Sequence, residues 1–285
     1  MRIEVLSEHP DVMLAEAERE RRRGAAEQLA RFESLRGERH EARSQGRWLA
    51  WLRLAFVMSG AKREAKRQHI ASVLPTAREQ AMRAGRNAER RVADQLAEAL
   101  DDEWVLLRGY GNSRGEIDAL LLGPRGLFAI EEKYRSVRVY IRRDEWMAQQ
   151  IGRNGKSYGA RFPIRDGKGR SPSEQVKEPA AALSRWLSTS KRGTPVTPVV
   201  LLTHPGARIG SIENPTARVE RRVSGLLALI ERSQYWLDAG RRADIERLIR
   251  RDHEFHQARK PISHDRTDRE GSQGEEPGPA GRWAT

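Results

Sequence analysis

Two apolar segments joined by a four-residue turn constrain the fold of this chain more than any other feature. Residues 119–122 read Ala-Leu-Leu-Leu and residues 127–130 read Leu-Phe-Ala-Ile, with Gly-Pro-Arg-Gly between them. Strands that are apolar on both faces are typical of a sheet covered on both sides. A short turn of this composition joins antiparallel neighbours. The sequence therefore predicts a buried hairpin inside a mixed α/β domain.

Charged residues stand at the ends of these two strands. Asp118 lies five residues before the turn and Glu131 five residues after it, so antiparallel pairing brings the two carboxylates together, subject to register. Lys133 shares the face of Glu131, whereas Glu132 faces the other way and is the poorer ligand candidate. A cross-strand salt bridge is the alternative. Charges at the ends of buried strands are costly unless they are paired or metal-bound, which favours a functional site.

Alternation also predicts which residues of the first strand share a face. We expect Glu116, Asp118 and Leu120 on one face and the apolar residues Ile117 and Ala119 on the other.

The helix predicted over residues 79–100 supplies a further acidic candidate. Val92, Leu96 and Leu100 follow Glu89 at intervals of three, seven and eleven residues, which places Glu89 on the apolar face that packs against the sheet. From there it could reach a metal ion or a metal-bound water. A buried salt bridge, or a charge at a helix N-terminus, explains it equally well.

Two carboxylates and an ammonium group suit the hydrolysis of a phosphodiester. Mg²⁺ or Mn²⁺ binds carboxylate oxygens and keeps several waters. A cation held by Asp118 and Glu131 can acidify a water and neutralise phosphate charge. Lys133 can then orient the nucleophile or stabilise charge in the transition state.

The charge of the chain favours a polyanionic partner. The net charge is +13, and the segment from Tyr134 to Arg170 has ten basic and three acidic residues, so it carries +7 of that excess. Aromatic residues are interleaved with this charge and could stack on unpaired bases. A flexible solvated loop is the alternative, with Trp146 packed in the core. The candidate contacts to nucleic acid are Arg135, Arg138, Arg142, Arg143, Arg153, Lys156 and Arg161.

Several classes of function are excluded or disfavoured. The chain has no cysteine, which excludes disulfides, zinc–thiolate sites, iron–sulfur clusters and thiol catalysis. No apolar run is long enough for a membrane span or typical of a signal peptide, so we expect a cytoplasmic protein. His253 and His256 lie three residues apart on a helix, but they lack a third metal ligand nearby.

We expect four parts along the chain. Residues 1–78 form a helical N-terminal extension, residues 79–235 the α/β domain, residues 236–258 a C-terminal helix and residues 259–285 a disordered tail. Within the extension, residues 46–67 join an apolar run to a basic one. That pattern fits a helix docked on a partner or on the main domain, which we favour, or a helix at a membrane surface.

Three motifs resemble those of the NERD (nuclease-related) domain. They are Gly85-Arg-Asn-Ala-Glu89, Gly115-Glu-Ile-Asp118 and the run from Gly123 through Glu131 to Lys133. Trp146 and the Pro…Gln element in Ser171-Pro-Ser-Glu-Gln175 match further positions of that family. The resemblance covers roughly residues 82–232, and the order, spacing and hydrophobic context of the motifs agree.

The resemblance implies a PD-(D/E)xK nuclease-like fold, a mixed sheet flanked by helices. Carried over, it makes Asp118 and Glu131 metal ligands, Lys133 the catalytic lysine, Glu89 the acidic residue of the helix and Gln175 a polar residue of the active site. The implied activity is metal-dependent cleavage of nucleic acid, DNA foremost. Two alternatives are a nucleic-acid-binding module without turnover, and a membrane-associated or scaffold protein that uses residues 46–67.

Overall fold

The computed structural model describes residues 1–7, 9–152 and 154–259. Arg153, one of the predicted nucleic-acid contacts, and residues 260–285, nearly all of the predicted disordered tail, lie outside the described residues. The helices are α1 (His9–Ser44), α2 (Trp48–Val73), α3 (Ala77–Ala99), α4 (Pro172–Thr189), α5 (Val223–Glu231) and α6 (Ala239–Ala258).

Within the described residues, ten strands form two mixed sheets. The larger sheet contains β1 (Arg2–Val5), β2 (Val105–Asn112), β3 (Gly115–Gly123), β4 (Gly126–Lys133), β8 (Val196–Leu202) and β10 (Arg218–Glu220). The smaller sheet contains β5 (Val137–Arg142), β6 (Glu145–Ile151), β7 (Ser157–Pro163) and β9 (Arg208–Glu213). A mixed sheet flanked by helices was predicted from the sequence, and the structure confirms that fold class.

The larger sheet has the order β1-β2-β3-β4-β8-β10, with β3 antiparallel to both of its neighbours, β2 and β4. The predicted hairpin is β3–β4, at the centre of this sheet. β8 runs parallel to β4, and Val196 pairs with Leu127 and Leu202 with Lys133. The C-terminal end of β8 therefore lies beside the end of β4, where the candidate residues stand.

Helices cover both faces of the larger sheet. On one face, α4 and α6 contribute Val176, Leu183 and Ile249 to a cluster that also contains the inner face of the smaller sheet. On the other face, α3 and α5 contribute Leu96 and Leu226 to a second cluster. Burial on both faces explains why β3 and β4 are continuous apolar runs.

The smaller sheet has one buried face and one exposed face. Val137, Val139 and Ile141 of β5 point into the core, while Arg138, Tyr140 and Arg142 alternate with them. Our sequence interpretation placed a flexible loop across part of this region. The structure instead pairs β7 with β6 in an antiparallel ladder whose register shifts between Ala148 and Gln150. The strand signal is weak because most of β7 is exposed and its sequence contains glycine and proline.

The predicted helical N-terminal extension is present as α1 and α2, but a short strand precedes it. Residues 2–5 form a strand, β1, that pairs in parallel with β2 at the edge of the larger sheet. Only after it do α1 and α2 follow; they pack against each other, and α1 is joined to α3 by an ion pair between Arg21 and Glu79. A four-residue edge strand has too little sequence for a pattern to reveal it.

Helix α2 is not buried as its apolar composition suggested. Trp48, Leu49, Leu52 and Phe56 are exposed, with 83% of Phe56 accessible to solvent. Docking of this segment on the main domain, one of the expectations from the sequence, is therefore not what the structure shows. Within the described part of the chain, no helix is long and apolar enough to cross a membrane.

Candidate active site

The β3–β4 ladder ends where the two carboxylates begin. Its last recorded pair before the ends of the strands is Ala119 with Ile130, which makes Asp118 and Glu131 the next positions on each strand. Here the strands separate, and Asp118 Oδ2 accepts a hydrogen bond from the backbone N–H of Glu132 at 2.7 Å. The register predicted from the turn length is correct, and it places the two carboxylates at equivalent positions along the hairpin.

A break in alternation on β3 accompanies this separation. Ile117 packs in the same cluster as Leu120, whereas Ala119 packs on the other face, so the predicted sharing of faces is wrong at Ile117. The reason lies in β2, where Gly109 falls opposite Asp118 and has a φ of +71°. That left-handed conformation turns the strand locally and interrupts the ladder.

Lys133 connects β4 to α4. Its Nζ lies 2.5 Å from Glu131 Oε1 and donates a 2.9 Å hydrogen bond to Gln175 Oε1. The Gln175 amide Nε2 in turn donates to the backbone carbonyl of Arg170 at 3.0 Å, which orients its oxygen toward the lysine. Glu131 is buried and Lys133 is about a quarter exposed, so the ammonium lies at the mouth of the site.

The start of α4 fixes the position of Gln175. Ser171 accepts a hydrogen bond from the N–H of Glu174, and the Glu174 carboxylate accepts from the N–H of Ser171, which is a complete capping box. Pro172 follows at the first helical position, which its fixed φ suits. The Ser-Pro-Ser-Glu-Gln segment is thus a helix start that places Gln175 in the first turn, facing the end of β4.

A second group of charges lies on the α3 side of the sheet. Glu89 Oε2 accepts a 2.6 Å charge-assisted hydrogen bond from Arg108. Glu132 points toward this side, and its Oε2 is buried without a hydrogen-bond partner among the described residues. The sequence interpretation missed Arg108 and set Glu132 aside. The signal that could have revealed Arg108 is its charge, because it is a basic residue within an otherwise buried strand.

Burial raises the pKa of all three sheet carboxylates. The pKa of Asp118 lies above its usual value because burial outweighs the attraction of Lys133, the Glu132 N–H and Arg108. Burial, and then repulsion from Asp118, raises the pKa of Glu131 to about 8. The pKa of Glu132 is raised by burial and by repulsion from Asp118 and Glu89. Burial is the largest cause for each of the three, so opposite charge is needed to keep them ionised together.

The donor set fits a hard divalent cation held by two carboxylates. A cation near Asp118 and Glu131 would favour the charged form of both carboxylates and so lower their pKa values. No group of three or more Asp, Glu or His side chains surrounds one point in the described part of the chain. Glu89, predicted as a third ligand, forms an ion pair with Arg108. Mg²⁺ commonly takes one or two carboxylates and fills its other positions with water and substrate.

The exposed face of the smaller sheet carries part of the predicted nucleic-acid contacts. The guanidinium of Arg161 lies 3.5 Å from the ring centroid of Tyr140, and the Tyr140 hydroxyl donates to Gln149. Arg138 and Arg142 share this face of β5 by alternation. Arg135 is exposed before β5, Arg143 lies in the β5–β6 turn and Lys156 precedes β7.

Two sequence candidates have structural roles. Trp146 is buried, and its Nε1 donates a 2.8 Å hydrogen bond to Ser173 Oγ, which ties β6 to α4. His253 is also buried: its Nδ1 accepts from the N–H of Gly111, and its Nε2 contacts the carbonyl of Leu6. Both ring nitrogens are engaged, which agrees with setting this histidine aside as a metal ligand.

Comparison with known proteins identifies the region that contains the site. Residues 84–203 match the family model described as NERD, nuclease-related domain. The match spans α3 to the end of β8 and contains Glu89, Asp118, Glu131, Lys133 and Gln175, so it confirms the resemblance seen in the motifs. No match was found among curated proteins or among solved structures.

Proposed function

We propose that the nuclease-related domain at residues 84–203 hydrolyses phosphodiester bonds in nucleic acid, DNA foremost, with Mg²⁺ or Mn²⁺ held by Asp118 and Glu131. The observation that carries the proposal is the meeting of the buried Glu131 carboxylate and the half-buried Asp118 carboxylate with Lys133 at the ends of β3 and β4. Desolvated carboxylates next to an ammonium group are expensive to maintain, and such arrangements cluster at functional sites.

Each residue has a distinct task in this proposal. The cation would supply an acidified water and neutralise charge on the phosphate. Asp118 is held in place by the Glu132 N–H, so its free oxygen can bind without further ordering. Lys133 can move from Glu131 to a phosphoryl oxygen or to the attacking water and so stabilise charge in the transition state. Gln175 keeps the ammonium near that position.

The test is a cleavage assay with the full chain. Labelled single- and double-stranded DNA and RNA would be incubated with Mg²⁺, Mn²⁺ or EDTA, using wild type, Asp118→Ala and Lys133→Ala. We expect cleavage that EDTA abolishes and that each substitution reduces by at least about a hundredfold. Asp94→Ala, which removes an exposed carboxylate of α3, serves as the matched control and should cleave normally. Cleavage that survives both site substitutions would contradict the assignment.

A nucleic-acid-binding module without turnover is the second candidate. It is favoured by the pairing of the site groups with one another: Glu131 with Lys133, Asp118 with the Glu132 N–H and Glu89 with Arg108. In the same assay this candidate predicts binding to nucleic acid that is equally tight in EDTA and in either metal. It also predicts that no product forms in any condition.

A further inference from the structure

A basic cavity of about 390 Å³ lies beside the candidate active site, on the α3 face of the larger sheet. Its walls come from α3, from the end of β8 with the residues after it, and from the start of α5. None of the catalytic candidates lines it. A cavity of this volume is large enough for a phosphate group with part of a nucleotide.

Three arginines line this cavity, and no acidic side chain does. They are Arg91 of α3 and Arg221 and Arg222 before α5. Arg221 is half-buried and the other two are exposed, and none of the three forms an ion pair with the described residues. Glu220, the carboxylate nearest in sequence, lies beside Gly225 and is not part of the lining. Unneutralised guanidinium groups converging on one cavity indicate an anionic ligand.

The cavity also offers uncharged hydrogen-bonding groups. The hydroxyl oxygen of Thr203 is buried and has no partner among the described residues, so it is a polar atom that lacks its hydrogen bond. His204 Nδ1 accepts from the N–H of Gly206 at 2.9 Å, which leaves its Nε2 to carry the proton in the neutral ring. Burial, and then the charge of Arg91, lowers the pKa of His204, so the neutral form prevails at pH 7.

The cavity is linked directly to the end of β4. The N–H of Thr203 donates to the carbonyl of Lys133 at 3.2 Å. Tyr134, the next residue, contacts His204 with ring centroids 4.7 Å apart, and Arg91 lies 5.7 Å from the centroid of the Tyr134 ring. Through this hydrogen bond the backbone carbonyl of Lys133 lies next to a residue that lines the cavity. The side chain of Lys133 extends to the carboxylate of Glu131 in the candidate active site.

We propose that this cavity binds a phosphate group of the nucleic-acid strand, next to the phosphodiester that is cut. The inference rests on the proposed function, and it adds a contact that would position the nucleic-acid strand at the active site. The three guanidinium groups carry more positive charge than the single negative charge of a phosphodiester can balance. A terminal phosphate carries about −1.5 to −2 at pH 7, which matches them better. The charge balance therefore favours a terminal phosphate as the bound group. An internal phosphodiester of the strand is the alternative.

The test measures binding without cleavage. Fluorescence anisotropy in EDTA would compare a labelled single strand with a phosphate or a hydroxyl at its 5′ end, and the same pair for the 3′ end. We expect Arg221→Ala/Arg222→Ala to raise Kd about three- to tenfold and to reduce the salt dependence of binding. Arg185→Ala, an exposed arginine of α4, is the matched control and should leave Kd almost unchanged.

The end group identifies the source of the phosphate. A preference for one phosphorylated end that the double variant loses supports a terminal phosphate. Equal binding of all strands, weakened equally in the double variant, supports an internal phosphate. Arg221→Lys/Arg222→Lys keeps the charge but removes the two-pronged geometry, so partial loss in this variant distinguishes a built site from general attraction.

Unchanged Kd and salt dependence in the double alanine variant would overturn the inference, whether or not the chain cleaves. Titration with inorganic phosphate gives a second readout: wild type should bind it and the double alanine variant should not. Because both measurements are made without metal, they remain informative if cleavage is never observed. Conversely, normal cleavage with unaltered binding in the variant would leave the proposed function intact and reject only the phosphate site.

Discussion

At the scale of single residues, the site is organised by a few hydrogen bonds between neighbouring elements. Asp118 accepts from the backbone of the adjacent strand, and Lys133 is shared between Glu131 and Gln175. Gln175 contacts no carboxylate of the site, so its effect on catalysis should act through the lysine. It is therefore a positioning residue in the proposed function.

Gln175→Ala should lower kcat about tenfold or more and leave KM for the nucleic acid nearly unchanged. Without the amide, the ammonium group stays on Glu131 and is less available in the transition state, where its charge matters. Steady-state kinetics on one oligonucleotide measures the two constants separately. Gln80→Ala, an exposed amide on α3, is the control. An increase in KM with normal kcat would show that Gln175 acts in substrate binding instead.

Asp144 gives a pH-dependent prediction outside the site. Burial raises its pKa, but hydrogen bonds from Thr216 and Lys177 outweigh that effect, so the net pKa lies below the usual 3.8. A lowered pKa contributes stability above pH 3.8 that is lost as pH falls through the folded-state value. Asp144→Asn should reduce the free energy of unfolding by about 0.5–1 kcal/mol at pH 7, since the pair is about a third exposed.

Urea unfolding of wild type and Asp144→Asn from pH 7 to pH 2.5 measures this contribution. The two midpoints should differ most above pH 5 and converge at the acid end. A difference that stays constant with pH would mean that the aspartate acts through packing rather than through its charge.

At the scale of elements, the local twist where β2 faces the end of β3 decides the geometry of the site. Gly109 permits it, because a Cβ there would come within 2.5 Å of the carbonyl oxygen of Ser7 and the backbone φ is positive. The close passage of the chain after β1 and the break in the β2–β3 ladder thus depend on one glycine. Sequence inspection does not single it out among 24 glycines.

Gly109→Ala should lower the free energy of unfolding by about 1–3 kcal/mol, from steric overlap and backbone strain together. Gly85→Ala is the matched control: Gly85 lies in α3 with no atom near its Cβ position, so alanine there should stabilise the helix by about 0.5–1 kcal/mol. Chemical denaturation of both variants gives the two values. Equal stability of Gly109→Ala and wild type would show that the left-handed conformation is not required.

At the scale of the whole molecule, the N-terminus and the C-terminal helix close the edge of the larger sheet. β1 pairs with β2, Glu4 forms a two-point ion pair with Arg250 of α6, and Leu6 packs against the main cluster. By contrast, α2 leaves its apolar side chains in solvent. Residues distant in sequence thus belong to one body, while a segment rich in tryptophan and leucine contributes little to its core.

Deleting residues 1–7 should lower Tm by roughly 5 °C or more, because about 2–4 °C corresponds to 1 kcal/mol in a domain of this size. It removes a strand, an ion pair and a half-buried leucine, and it exposes the edge of β2. Phe56→Ser, which alters the most exposed aromatic of α2, should shift Tm by no more than about 1–2 °C. Thermal unfolding followed by circular dichroism compares them. A larger effect of Phe56→Ser would mean that α2 is packed in solution.

The sequence by itself determined the parts of the site that follow from local pattern. The apolar runs, the short turn and the positions of Asp118, Glu131 and Lys133 predicted the central hairpin and its register, since strand alternation and turn length are local properties. The helix start before Gln175 was equally readable. The tertiary structure decided what depends on distant partners: the ion pair between Glu89 and Arg108, and the position of Glu132 among the charges of the site. The basic cavity is of the same kind, because α3, β8 and α5 meet only in the folded chain.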